Sequence, residues 1–84
     1  MDIKERILQI LYRSGVNSSI LFTVQDQRNR TCYIPLEEVA NCMRELNRKN
    51  QRVVIARCEE LDGNPERLEL FFRRLAATVV NKRL

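Results

Sequence analysis

The stretch Arg-Val-Val-Ile-Ala-Arg-Cys at residues 52–58 decides the fold that this sequence predicts. Val53 and Ile55 alternate with Val54 and Ala56, and two residues is the side-chain period of a β-strand. Apolar side chains would stand on both faces, which is typical of a strand that is covered on both sides. We therefore predict a central strand here, and the rest of the chain has to supply its neighbours.

Two more strands are predicted earlier in the chain than residues 52–58. Residues 19–25 place Ile20 and Phe22 on one face of a strand, and residues 30–34 form a second run rich in β-prone residues. The polar residues 26–29 join the two runs. Together they predict a hairpin whose turn type stays open, because the link contains no glycine.

Three helices complete the pattern. The first covers residues 2–14, where apolar residues recur at helical spacing and Gly15 supplies a C-terminal stop. The second begins at Pro35 and ends near Asn50. The third covers residues 64–81, and it carries the most apolar stripe in the chain: Leu68, Phe71, Phe72, Leu75, Ala76 and Val79.

The resulting order, α-β-β-α-β-α, predicts a single small α+β domain over residues 1–84. Its sheet would be three-stranded and mixed, because a helical crossover makes the third strand parallel to the second. The helices would pack on this sheet. A winged-helix-like fold is the alternative, with the second helix as the recognition helix, but the third helix then lies where a wing strand is expected.

Residue types that carry most catalysis and metal binding are scarce. The chain has no histidine, so it lacks the commonest general base and metal ligand. Cys32, Cys42 and Cys58 form no Cys-x-x-Cys pair, which argues against a zinc site. The only glycines, Gly15 and Gly63, cannot form a glycine-rich phosphate loop. We therefore predict no catalytic site, no metal centre and no cofactor.

The hydrophobic pattern also bears on location. The longest uninterrupted apolar runs have four residues or fewer, whereas a membrane-spanning helix needs about 20. The first six residues mix charge signs, unlike a secretory signal. The expected location is the cytoplasm, with no membrane partner.

The charge balance is basic, with 15 Lys and Arg against 11 Asp and Glu and a pI near 9.3. Twelve of the bases are arginine, whose planar guanidinium binds phosphates and carboxylates in bidentate fashion. Acids at helix starts and bases at helix ends account for part of this charge. The candidate residues for binding an anionic partner are five arginines and one neighbouring amide: Arg28 at the hairpin tip and Arg30 at its exit, Asn41, Arg44 and Arg48 on one stripe of the second helix, and Arg52.

The apolar face of the third predicted helix is wider than a small sheet would cover. A homodimer that pairs this helix with its symmetry mate would bury the excess. The candidate interface is Leu68, Phe72, Leu75 and Val79. The alternative is that the helix simply spans the core of its own domain.

These features predict a small, basic, non-catalytic binding protein. The favoured hypothesis is a regulatory protein that binds nucleic acid as a homodimer, because pairing two basic surfaces doubles the phosphate contacts. The alternative hypothesis is a protein-interaction adaptor or inhibitor that presents its arginines to an acidic surface of a partner protein.

Overall fold

The computed structural model of the chain describes residues 2–16 and 19–81. Within these ranges the fold is α+β, with four α-helices and one two-stranded antiparallel sheet. In chain order the elements are helix α1 (Ile3–Arg13), strand β1 (Ser19–Thr23), strand β2 (Thr31–Pro35), helix α2 (Leu36–Cys42), a 3-10 turn (Met43–Glu45), helix α3 (Arg48–Glu60) and helix α4 (Pro65–Asn81).

The predicted hairpin is confirmed. Strands β1 and β2 pair in antiparallel register, with Ile20 opposite Ile34 and Phe22 opposite Cys32. In the connecting turn Asn29 has a φ of +47°. Asparagine tolerates this left-handed conformation better than most residues do, which explains a tight turn without glycine.

The predicted central strand at 52–58 is wrong, because these residues belong to helix α3. Val54 and Cys58, the two buried residues of α3, lie one helical turn apart, whereas Val53 is 61% exposed. The helix begins at a cap in which the backbone N–H of Asn50 donates to Asn47 Oδ1 at 2.8 Å. The described residues contain only the two strands β1 and β2, so the predicted three-stranded mixed sheet with its parallel crossover is wrong.

The second helix is also shorter than predicted. Helix α2 ends at Cys42, the chain continues as the 3-10 turn, and Leu46 is extended with a ψ of 149°. Pro35 is the last residue of β2, and residues 36–50 form two helical segments separated by a break. The winged-helix-like alternative is wrong too, because the hairpin precedes α2 and the segment that follows α3 is helical.

The other two predicted helices are confirmed as α1 and α4. After α1, the N–H of Gly15 donates to the Tyr12 carbonyl at 3.2 Å and the N–H of Val16 donates to the Leu11 carbonyl at 3.0 Å. This is the Schellman pattern, and the φ of +79° at Gly15 makes it possible. At the start of α4 the Asn64 side chain accepts from the backbone N–H of Arg67 at 3.3 Å.

The core lies where α1 packs against α2 and α3 and where α4 packs against β1. Among the described residues, no polar or charged side chain is buried. None of the described helices is both long enough and apolar enough to cross a membrane. The largest fully buried side chains are Phe72, Ile7, Leu11, Ile20, Leu36, Met43, Leu68, Val39 and Cys58.

Candidate binding groove between α3 and α4

Arg44 and Asn41, both predicted to face a partner, are joined in a network within the molecule. The Nε of Arg44 donates to Asp2 Oδ2 at 2.7 Å, and its Nη1 donates to Asn41 Oδ1 at 3.0 Å. This hydrogen bond from Arg44 is the main reason why the pKa of Asp2 lies below its ordinary value. Through these hydrogen bonds Arg44 and Asn41 link the start of α1 to the end of α2.

Arg44 and Arg48 do not share a helix face as the sequence predicted, because the chain breaks at Leu46 between them. Arg44 lies in the 3-10 turn, whereas Arg48 is the first residue of α3. Arg52 follows Arg48 by one turn of α3, and Lys49 lies beside them. All three α3 bases are exposed, and they form no ion pair with any described residue.

The hairpin arginines differ from each other. The Nε of Arg30 donates to Asp26 Oδ2 at 2.5 Å, and this bond is the main cause of the lowered pKa of Asp26. Arg28 uses its backbone N–H to contact Asp26 Oδ1 at 2.8 Å. Its exposed guanidinium forms no ion pair within the described part of the chain. Of the two, Arg28 is the more available to an anion.

The predicted dimer interface lies largely inside the molecule. Leu68 and Phe72 are fully buried and Val79 is 8% exposed. Leu75 is half-buried and packs beside this core. The four residues therefore serve the core of their own chain first. The homodimer stays a prediction, because these contacts do not show whether two copies associate.

A concave feature lies between α3 and α4, and we call it the α3–α4 groove. Its first part has a volume of about 520 Å³, within the range of small-molecule and peptide-side-chain sites. Exposed Val53 forms one wall, and half-buried Phe71 and Leu75 form the other. The lining of this part is mainly apolar: Leu46, Val53, Val54, Phe71, Leu75 and Val79, with Glu45, Asn50 and Thr78.

Phe71 also lines a second concavity between the same two helices, with a volume of about 380 Å³, and this one is basic. We include it in the α3–α4 groove as its arginine-lined end. Arg57 pairs with Glu60 there at 3.0 Å, whereas Arg67 and Arg74 form no ion pair with described residues. Three arginines against one glutamate give this end a formal charge of +2. The lining of this part is Arg57, Glu60, Leu61, Arg67, Leu70, Phe71 and Arg74.

Sequence reasoning missed this groove because it placed residues 52–58 in a sheet. Only when α3 is a helix do Val53 and Arg57 lie beside α4. One signal was available in the sequence. The apolar face of the third predicted helix is wider than the core requires, and Phe71 and Leu75 belong to this extra width. The sequence hypothesis assigned that excess to a symmetry mate.

The described residues offer little reactive chemistry. They contain no cluster of three or more Cys, Asp or Glu that could hold a metal ion. Burial raises the pKa of the Cys58 thiol to about 12, so this sulfur stays protonated near neutral pH. Comparisons of the chain with protein-family models, with curated proteins and with solved structures found no match.

Proposed function

We propose that this protein is a non-catalytic binding module that recognises another protein through the α3–α4 groove. The observation that carries the proposal is an open apolar concavity, lined by Val53, Phe71 and Leu75, beside an arginine-lined concavity that shares Phe71 with it. Aromatic and arginine side chains are enriched at protein interfaces. Adaptors and inhibitors use such a surface, and the arginines favour an acidic partner.

We place this interaction in the cytoplasm. Cys32, Cys42 and Cys58 form no disulfide, and thiols persist in compartments that glutathione and thioredoxin keep reducing. This supports the location without depending on the identity of the partner.

Affinity capture from a nuclease-treated cell extract tests the proposal. We expect a defined protein to bind the wild-type chain and to be lost with Val53→Asp, because a carboxylate in the apolar wall has to be desolvated. Tyr33→Asp is the matched control, since Tyr33 is 73% exposed on the hairpin and lies outside the groove lining. Capture that is equal for both variants contradicts a role for the groove.

Nucleic-acid binding is a second candidate, favoured by Arg48, Lys49 and Arg52 at the start of α3, which form no ion pair with any residue that the structure describes. Fluorescence anisotropy with duplex and single-stranded oligonucleotides, at low and near-physiological salt, gives both affinity and salt slope. If Arg48 and Arg52 each contact a phosphate, changing both to Gln makes the plot of log binding constant against log salt concentration less steep on duplex DNA. The magnitude of the slope should fall by about 1.8. Arg44→Gln is the control, because Arg44 is engaged with Asp2. An unchanged slope for the double variant removes α3 from the hypothesis.

A further inference from the structure

The α3–α4 groove is long enough to hold a short helix. On α4 its lining runs from Arg67 to Val79, and these 12 steps of about 1.5 Å give a length of about 18 Å, or roughly three helical turns. On α3 the facing residues recur at the same spacing, as with Asn50, Val53 and Arg57. A groove with two helical walls accepts an amphipathic helix whose apolar residues recur at i, i+3 or i+4, and i+7.

The charges along the groove define the occupant further. Arg67 and Arg74 line one end and form no ion pair with another described residue, and Arg57 lies beside them, paired with Glu60. The other end is mainly apolar. An occupant therefore needs apolar side chains along most of its length and carboxylates at one end, where guanidinium groups bind carboxylates in bidentate geometry.

A second copy of this chain fits the groove poorly. The chain carries a formal charge of +4, and a two-fold interface places the same patch of both copies together. In such a pairing the arginine-lined end of each copy meets either the same end of the other copy or its mainly apolar end, whose lining holds a single carboxylate residue, Glu45. Like charges that meet across an interface disfavour the complex, and guanidinium groups set against apolar side chains lose water without gaining a full set of carboxylates.

We propose that the α3–α4 groove binds an amphipathic helical segment of a partner protein, about three turns long, with acidic side chains at the end that meets Arg57, Arg67 and Arg74. This inference rests on the proposed function and adds the shape and chemistry of the partner segment. The apolar residues of the segment lie against Val53, Phe71 and Leu75.

Peptide display tests the inference without a known partner. A library of random 16-residue peptides is selected on the folded full chain and depleted on Val53→Asp. We expect the enriched peptides to carry apolar residues at helical spacing and Asp or Glu clustered at one end. Peptides that are basic, rich in proline or free of helical spacing overturn the inference, and so does a library that yields no binder depleted by Val53→Asp.

Charge reversal then tests the polarity of the groove. Anisotropy of a labelled enriched peptide should show at least tenfold weaker binding to the double variant Arg67→Glu and Arg74→Glu. Arg28→Glu is the control, since Arg28 is exposed on the hairpin outside the groove lining. A peptide with Lys in place of its acids should recover binding to the double variant. Equal loss with Arg28→Glu, or no recovery, contradicts the proposed charge pairing.

Three further measurements show whether lost binding results from misfolding, from dimer formation through the groove or from a wrong assignment of the helical occupant. Circular dichroism of each variant shows whether it keeps the wild-type helix content, so that lost binding is not lost folding. A wild-type dimer that Val53→Asp dissociates in sedimentation would assign the groove to a second copy and overturn the inference. Capture of a folded partner that depends on Val53, without any helical peptide from the library, would leave the proposed function standing and reject only the helical occupant.

Discussion

Gly15 ends helix α1 in a backbone conformation that residues with a Cβ rarely adopt. Its φ is +79°, and a Cβ built there would meet no atom within 4 Å, so the effect of a side chain comes from the backbone alone. We expect Gly15→Ala to lower the free energy of unfolding by about 1 to 2 kcal/mol, measured by urea denaturation. Asn29→Gly, at a residue that already has a positive φ, should cause no comparable loss. Equal stability of wild type and Gly15→Ala contradicts this explanation.

The three cysteines should differ in reactivity although none forms a disulfide. Cys58 is fully buried, and burial, assisted by the nearby Glu59 carboxylate, raises the pKa of its thiol to about 12. Cys42 is also buried, whereas Cys32 on β2 is partly exposed. We expect iodoacetamide near pH 8 to alkylate Cys32 first, as mass spectrometry of the native protein would show.

Alkylation in guanidinium is the control, and all three thiols should then react. Rapid labelling of Cys58 under native conditions would mean that α3 opens readily, because only the exposed thiolate is an effective nucleophile.

At the scale of elements, α1 is held at both ends by charged side chains from later segments. Asp2 pairs with Arg44, and Asp62 accepts a hydrogen bond from Ser14 Oγ at 2.8 Å and pairs with Arg13. The hydrogen bond from Ser14 and then the one from Arg13 are the main causes that hold the pKa of Asp62 below its ordinary value. The pairs are partly exposed, so salt weakens them.

A lowered carboxyl pKa makes folding sensitive to acid. The folded state binds protons less readily than the unfolded state, so the stabilisation is present above the unfolded pKa, about 3.9, and is lost as the pH falls through the folded pKa. We expect urea unfolding to show declining stability below about pH 4, and a flatter decline in Asp2→Asn and Asp62→Asn. Gln9→Ala, which removes no carboxylate, is the control. An unaltered pH dependence in both Asn variants contradicts the role of these pairs.

Helix α3 begins with an unfavourable charge pattern. Arg48 and Lys49 lie in its first turn, which contains no acidic residue, although the helix dipole favours negative charge there. We expect Arg48→Glu to raise the free energy of unfolding by about 0.3 to 1 kcal/mol, measured by urea denaturation. Arg52→Glu, one turn further on, should have a smaller effect because the dipole interaction fades within the first turn. A loss of stability in Arg48→Glu contradicts the dipole argument.

At the scale of the whole molecule, stability should depend on one compact core. Phe72 is fully buried, whereas Leu70 on the same helix is 49% exposed. We expect Phe72→Ala to cost about 3 to 5 kcal/mol, a large part of the roughly 4 to 13 kcal/mol typical for this length. Leu70→Ala should cost far less. Thermal unfolding that is shifted equally by both variants would contradict the placement of α4.

The parts of the fold that follow from local signals could be predicted. Helices α1 and α4 and the hairpin have clear periodicity, caps and stops within their own residues. Helix α3 could not be predicted, because Val53, Val54 and Ile55 imitate a strand over a few residues. The burial of Val54 and Cys58 on one helical face depends on packing against α1, which no local pattern encodes.

The chemistry of the candidate site could be predicted from the sequence, but its location in the fold could not. An excess of arginine indicated an anionic partner, but Arg44 is engaged by Asp2, 42 residues away, and spacing cannot reveal such a pair. The groove depends on α3 lying beside α4, so its lining could be assigned only once α3 was known to be a helix. Of the lining, only Leu75, Val79 and their neighbours on α4 stood out in the sequence as surplus apolar residues.

The long-range anchoring of α1 bears on how the chain folds while it is being synthesised. Its pairs reach forward to Arg44, Glu59 and Asp62, and its main packing partners are α2 and α3, which end at Glu60. At a translation rate of 5 to 20 residues per second, the roughly 47 residues between the end of α1 and the end of α3 take about 2 to 9 seconds to appear. Until then the apolar face of α1, which includes Ile7 and Leu11, lacks part of its final packing, and we expect ribosome-associated chaperones to bind the nascent chain in this interval.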